Sequence, residues 1–246
     1  AASFYLILFP VWLYSSIPEV FALNNFLLCL VTYLFLLYNQ TAARKYRYLI
    51  YFLIGICVCH HHTFILFVPG WYFLLRKQLR QQFFKENIIK NVAFLCLGLS
   101  FYLYAPIASS FNPPNDWENS KTILGFLRMI TRSSYGTFKS YANSTPNLIN
   151  QLLSSFSSFA FTLSYFRPAG LIILLLGFFY LKKDNKPFFK FIWITLLLET
   201  IFLFYTNFPL SSYFALATYE RFLLAVDLLL IIIFAYGWIK LEAIAK

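Results

Sequence analysis

Residues 48–75 read YLIYFLIGICVCHHHTFILFVPGWYFLL, and whether this run crosses a membrane once or folds back decides the topology of the whole chain. Basic stretches flank it, with Arg44, Lys45 and Arg47 before and Arg76, Lys77, Arg80, Lys85 and Lys90 after. Cytoplasmic loops collect Lys and Arg, so a single crossing would put these two stretches on opposite faces. In its middle, Cys59-His60-His61-His62-Thr63 would set polar groups at the bilayer centre, where they are costly, and Pro69-Gly70 weakens the second half. The run is therefore read as a broken helical hairpin whose arms both start from the cytoplasmic face, with the histidines at the tip. Each arm holds only about 11 to 13 apolar residues, short of the ~20 of a full span. The tip is thus expected in a water-filled vestibule below the outer surface, where helix breaks survive at membrane depth.

Further apolar runs fall at about 3–14, 20–38, 91–108, 152–181, 188–208 and 213–239. Lys182, Lys183, Lys186 and Lys190 form a third basic stretch, and Lys240 and Lys246 a basic tail. With the hairpin in place all four basic segments share the cytoplasmic face. The outer face then carries Ser15 to Glu19, the histidine tip, a long loop from about 109 to 150, and Tyr213 to Arg221. Composition agrees: the 246 residues are 60% hydrophobic and 12% charged with mean hydropathy +0.67, against about 25% charged for soluble domains. The length could hold about eight crossings, which leaves one transmembrane domain over 1–246, an all-α polytopic helical bundle. Its net charge of +11 is read as topology and not as a nucleic-acid surface. Cys29, Cys57, Cys59 and Cys96 lie in or at the ends of apolar runs, where a free thiol acts as a small hydrophobe. The opening Ala1-Ala2-Ser3-Phe4 has no initiator Met and no signal peptide, so an N-terminally truncated chain is expected.

The long outer loop carries Asn112-Pro113-Pro114-Asn115-Asp116-Trp117-Glu118-Asn119-Ser120, an ordered turn with an interfacial Trp. Ser120 is suited to cap a helix. From Lys121 to about Ser134, Ile123, Phe126, Leu127 and Ile130 recur at helical spacing, with Arg128 and Arg132 four apart and Gly136 as a stop. This describes an interfacial amphipathic helix on the outer leaflet. Its arginines suit a phosphate, which guanidinium grips bidentately without losing charge, and they equally suit ordinary lipid headgroups. Cys57, Cys59 and the three histidines invite zinc, yet consecutive histidines cannot all aim at one ion, and no metal site is expected. The histidines instead suit a hydrogen-bonded turn or contact with a sugar or phosphate.

Of the nine acids, Glu86, Asp184 and Glu242 lie in or beside cytoplasmic segments and are read as solvated. Glu199 and Asp227 lie within apolar helices, where an ionisable group is a functional candidate; a transporter or channel using both is the rival reading. Glu19, Asp116, Glu118 and Glu220 lie on the outer face, where a general base would be sought. Glu220 and Arg221 can pair locally.

Four segments together resemble a known family. Ser16-Ile17-Pro18-Glu19-Val20-Phe21-Ala22-Leu23-Asn24 resembles an (S/A)-x-x-E-V-Y-A-L-N segment, and Gly55, followed after four residues by His60-His61-His62-Thr63, resembles G-L-x-x-G-N-H-H-T. Asn112 to Trp117 resembles N-P-P-x-x-W-G, and Thr131-Arg132-Ser133-Ser134-Tyr135-Gly136 resembles T-R-x-x-Y-G. In this order they are similar to polytopic glycosyltransferases of the GT-C superfamily, in particular the transmembrane protein O-mannosyltransferases acting on plexin-type receptors and their bacterial homologues. Two departures are His60 in place of Asn and Glu118 in place of Gly. The resemblance implies transfer of mannose from a polyprenyl-phosphate donor to an acceptor hydroxyl on protein or glycan, in a bacterial cytoplasmic or endoplasmic reticulum membrane. The lipid-linked sugar is substrate, and no cofactor is implied. The acidic catalytic motif of the family would lie upstream, so the fragment alone is expected to be inactive, with Glu19 in a supporting role. Arg132, Arg128, His61 and Arg221 would then hold the donor phosphate. His60, His62, Asn112, Asp116, Trp117, Tyr135 and Glu220 would shape the substrate pocket.

Overall fold

The computed structural model describes residues 2–17, 19–116, 118–135, 148–206 and 213–246. Along the chain run α1 (Ala2–Ile7), α2 (Phe9–Ser15), α3 (Val20–Thr41), α4 (Arg44–His60), α5 (Val68–Leu74), α6 (Lys77–Lys85), α7 (Ile88–Leu99) and α8 (Tyr104–Ser110). They are followed by α9 (Ile123–Thr131), α10 (Leu148–Ser164), α11 (Arg167–Asp184), α12 (Lys186–Thr206) and α13 (Tyr213–Ala245). No strand occurs among the described residues, and the fold is an all-α polytopic bundle. Among them four stretches are long and apolar enough to cross a membrane: Val20–Thr41, Ile88–Ser110, Lys186–Thr206 and Tyr219–Ala245. A fifth is added if α10 and α11 form one bent span.

The hairpin is present. His61 interrupts it with an extended backbone (φ −152°, ψ 121°), after which a 3-10 turn over His62–Phe67 leads into α5. At the base, Asn39 of α3 donates to the Leu74 carbonyl at 2.9 Å and accepts from the Arg76 amide at 3.0 Å. Arg47 at the start of α4 donates to Gln82 O and to Glu86. The chain therefore returns after α5 to the end from which α4 left. Asn185 and Pro187 line a cleft with Asn39 and Arg76, and Lys240 pairs with Asp184 at 2.7 Å. The basic loops thus gather at one end of the bundle, and the histidine tip lies at the other.

Helix contacts are set by small residues. α4 and α7 run side by side through Gly55 and Gly98, where a methyl group on either would strike the backbone of the other helix. Gly177 of α11 and Gly237 of α13 make the same kind of contact, the close approach that substitutes for a hydrophobic driving force in lipid. Between them the core is aromatic: Trp71 is fully buried, stacks on Phe35 at 5.5 Å and donates its indole N–H to Thr32.

Several expectations need correction. The run 3–14 is two short helices broken at Leu8, with Pro10 in the first turn of α2. The run 152–181 bends by 100° between Ser164 and Arg167. Arg167 has a positive φ of 55° and precedes Pro168, and the residue before a proline is pushed out of the right-handed helix region. Glu86, expected solvated, joins Arg44 and the buried Arg47 at 3.0 Å each. Asp184 and Glu242 are exposed, as expected, and bond at the surface to Lys240 and Tyr236 and to Trp238 respectively.

Candidate functional site at the histidine end

The break at His61 sends three consecutive imidazoles to three different partners. His60 Nε2 lies 2.9 Å from the Val20 carbonyl, His61 Nδ1 2.5 Å from Thr63 Oγ1, and His62 Nε2 2.9 Å from the Tyr102 hydroxyl. Tyr102 gives its single proton to the Val58 carbonyl at 2.9 Å, so its oxygen accepts from His62, whose proton must sit on Nε2. No three His, Cys, Asp or Glu side chains converge on a common point among the described residues. His61 is wedged against Phe21 (5.1 Å) and Phe222 (6.2 Å). Burial, reinforced by the charge of Arg132, pushes its pKa down to about 4. His62 is lowered by the same two causes in the same order. Both imidazoles are therefore neutral near pH 7 and present N–H donors without a positive charge.

Arg132 ends α9 in the left-handed conformation (φ 51°). The amphipathic helix is shorter than expected, Ile123–Thr131 in place of 121–134, and Ser120 does not cap it. Thr122 does, accepting from the Gly125 amide at 3.0 Å, while Ser120 donates to the Ala105 carbonyl. Phe126 of α9 meets the Tyr102 ring at 6.4 Å, which seats the helix against the hairpin. No contact joins Arg128 to this cluster among the described residues. Gly136 and Trp117 lie outside the described residues, as does the side chain of Tyr135.

The remaining loop residues fold onto α8. Ser109 donates to Asp116 at 2.6 Å, Lys121 Nζ to Asn112 at 2.5 Å, and the Lys121 amide to Ser109 Oγ at 3.0 Å. Asn112 and Asp116, expected in the substrate pocket, here brace the loop through these bonds.

Glu220 and Arg221 do not pair with each other, because neighbouring helical side chains point about 100° apart. Glu220 accepts from Tyr14 at 2.9 Å and Tyr165 at 3.1 Å. Arg221 is ion-paired with Glu19 and lies over the Tyr14 ring at 5.7 Å. Burial first, and then the bond to Glu220, raise the Tyr14 pKa to about 12, so this hydroxyl stays a donor. Tyr14, Tyr102, Tyr165 and Asn25 carry no signal in the sequence, and Asn24 and Thr63 stand in the family-like segments without a role of their own. Nothing marks three particular members among eighteen Tyr. A small cleft between α3, the hairpin turn, α12 and α13 is lined by Asn24, Asn25, Thr63, Glu199 and Arg221. Glu199 thus opens toward the same cluster. Asp227, two turns beyond Glu220 on α13, is buried with neither carboxyl oxygen bonded to a described residue.

Residues 1–83 match the family model described as the protein O-mannosyl-transferase TMEM260 N-terminal domain. The chain is 26% identical to a Dictyostelium discoideum protein named protein O-mannosyl-transferase tmem260, over 92% of this chain and 30% of that protein. It is 28% identical to the mouse protein O-mannosyl-transferase TMEM260, over 58% of this chain and 22% of that protein. The chain therefore spans less than a third of the length of these relatives. No solved structure matches it. The resemblance to the protein O-mannosyltransferase family carried by the four segments is borne out.

Proposed function

We propose that this chain forms the donor-binding part of a GT-C-type membrane enzyme that transfers mannose from a polyprenyl-phosphate carrier to a hydroxyl group on protein. The observation that carries this reading is that Arg132, which is permanently charged, lies within electrostatic reach of the neutral imidazoles of His61 and His62 at the end opposite the basic loops. By the positive-inside argument that end faces outward or to the lumen. The names of the relatives, protein O-mannosyl-transferases, support the sugar and the acceptor class.

In the transfer, the acceptor oxygen bonds to the sugar's anomeric carbon as the bond from that carbon to the phosphate oxygen breaks. The acceptor's proton passes to a carboxylate, and the carrier leaves as its phosphate. A cation and N–H donors already held in place stabilise the charge growing on that phosphate without reorganising. Arg132 supplies the cation, with His61 and His62 as neutral donors beside it and Arg128 on the same helix. Glu19 and Glu220 are both committed to partners, which fits Glu19 to support of the site and leaves the proton acceptor to another carboxylate.

Binding of a polyprenyl-phosphate sugar by the full-length protein in nanodiscs tests this. Arg132→Ala is expected to weaken it at least tenfold, and Arg132→Lys less. Unchanged affinity in folded Arg132→Ala protein would remove the phosphate from α9, and absence of any carrier binding would favour an ion-translocating role for Glu199 and Asp227.

A further inference from the structure

The Arg221 guanidinium, which meets Glu19 and Tyr14, has one nitrogen that these partners leave unpaired. One terminal nitrogen, Nη1, pairs with Glu19. Nε is buried and has no hydrogen-bond partner among the described residues. The cleft it lines, about 10 Å³ in volume, also receives Asn24, 3% exposed, whose Oδ1 is likewise buried and unbonded. Glu199, 2% exposed, and Thr63 complete the polar lining.

The size and the donor pattern select the guest. A volume of roughly 10–15 Å³ admits one water molecule, and buried waters make about three hydrogen bonds to groups that would otherwise go unpaired. The guest must accept from Arg221 Nε–H and donate to Asn24 Oδ1 and to a Glu199 oxygen. A bare cation accepts no hydrogen bond and would face the guanidinium charge. An anion could not donate to the two oxygens. Water does both, and Thr63 Oγ1 offers a fourth contact.

We propose that Glu199 is a positioning residue that grips Arg221 through one ordered water shared with Asn24. Arg221 is then held between two acidic side chains, Glu19 directly and Glu199 through water. It serves as the fixed strut on which Phe222 meets His61, and it is not a ligand of the donor phosphate. That last consequence rests on the mannosyl-transfer reading; the water-bridged grip does not.

The test uses full-length protein carrying ¹⁵N-arginine, with the Arg221 Nε–H signal assigned by its loss in Arg221→Lys. In the wild type this proton should exchange with solvent at least about tenfold more slowly than those of the loop arginines. Glu199→Gln, which keeps an acceptor oxygen, should retain the protection. Glu199→Leu should lose it, and Asn24→Ala should lose part of it, which keeps the test open if Glu199→Leu does not fold. An Arg221 Nε–H that exchanges as fast as a loop arginine, or stays protected in Glu199→Leu and Asn24→Ala alike, would overturn the proposal. Carrier affinity measured on the same samples should be unchanged in Glu199→Gln and lost in Arg132→Ala. Loss of protection without any carrier binding in the wild type would uphold the grip and refute the transfer reading.

Discussion

Glu19 and Arg221 stand 202 residues apart in the chain and form an ion pair that ties the start of α3 to the upper part of α13. Both side chains are about three-quarters covered, so the pair is neither freely solvated nor deeply desolvated. Around it, Tyr14 and Tyr165 converge on Glu220, and Phe21 and Phe222 enclose His61. One contact thereby sets the spacing between the histidine tip and the last helix.

Removing either partner of this pair should cost about 1.5–3 kcal/mol, the range for a hydrogen bond to a charged group. Glu19→Gln and Arg221→Gln should each lower the thermal midpoint in detergent. The double variant should lose less than the sum of the singles, and strict additivity would show that the pair contributes no coupling.

The glycine contacts predict a second class of loss. Gly98→Ala and Gly177→Ala place a methyl against the backbone of α4 and α13 respectively, and overpacking of this kind costs about 1–3 kcal/mol. Ala93→Ser, at an exposed position of α7, is the control, and its thermal midpoint should fall less than those of the other two.

Tyr102 links the hairpin tip to α9. Tyr102→Phe deletes the donor to Val58 O and the acceptor for His62 Nε2, leaving both without that partner at about 1–3 kcal/mol. Loosening of the tip should appear as faster hydrogen exchange at residues 58–63, and unchanged exchange there would dismiss the linkage.

At the opposite end, the hydrogen bond from Arg47, aided by the charges of Arg47 and Arg44, holds Glu86 below its usual carboxylate value. Its folded pKa lies under its unfolded one, so its contribution to stability is complete above the ordinary Glu value of about 4.3. That contribution fades as pH falls through the depressed folded value. Thermal midpoints followed from neutral pH into acid should drop less steeply in Glu86→Gln than in the wild type.

Much of this architecture was legible in the sequence because charge and hydropathy are coarse signals that tertiary packing rarely overrides. The polar break at His60-His61-His62 between two basic stretches allowed only a hairpin, and the backbone follows it. The bend at Arg167 was signalled by Pro168, yet the apolar run around it hid that signal. Ser120 and Thr122 are equally suitable caps by type, and only the fit of Ser120 against Ala105 O decides between them. Local proximity suggested a Glu220–Arg221 pair, whereas the partners are Glu19, Tyr14 and Tyr165, brought from distant segments. Such pairings depend on which helix faces meet, and periodicity within one helix carries no record of its neighbours. Glu199 was visible as an acid in an apolar helix, while its cleft required α3, α12 and α13 to be assembled.

The most direct test of the account is sugar transfer by the full-length membrane protein from polyprenyl-phosphate mannose, labelled in the sugar, to a panel of protein acceptors. Wild-type protein should label the acceptor, and folded Arg132→Ala should lose at least a hundredfold of that transfer. Transfer that proceeds undiminished in Arg132→Ala, or no transfer by wild-type protein that binds the carrier and is shown to be folded, would contradict it.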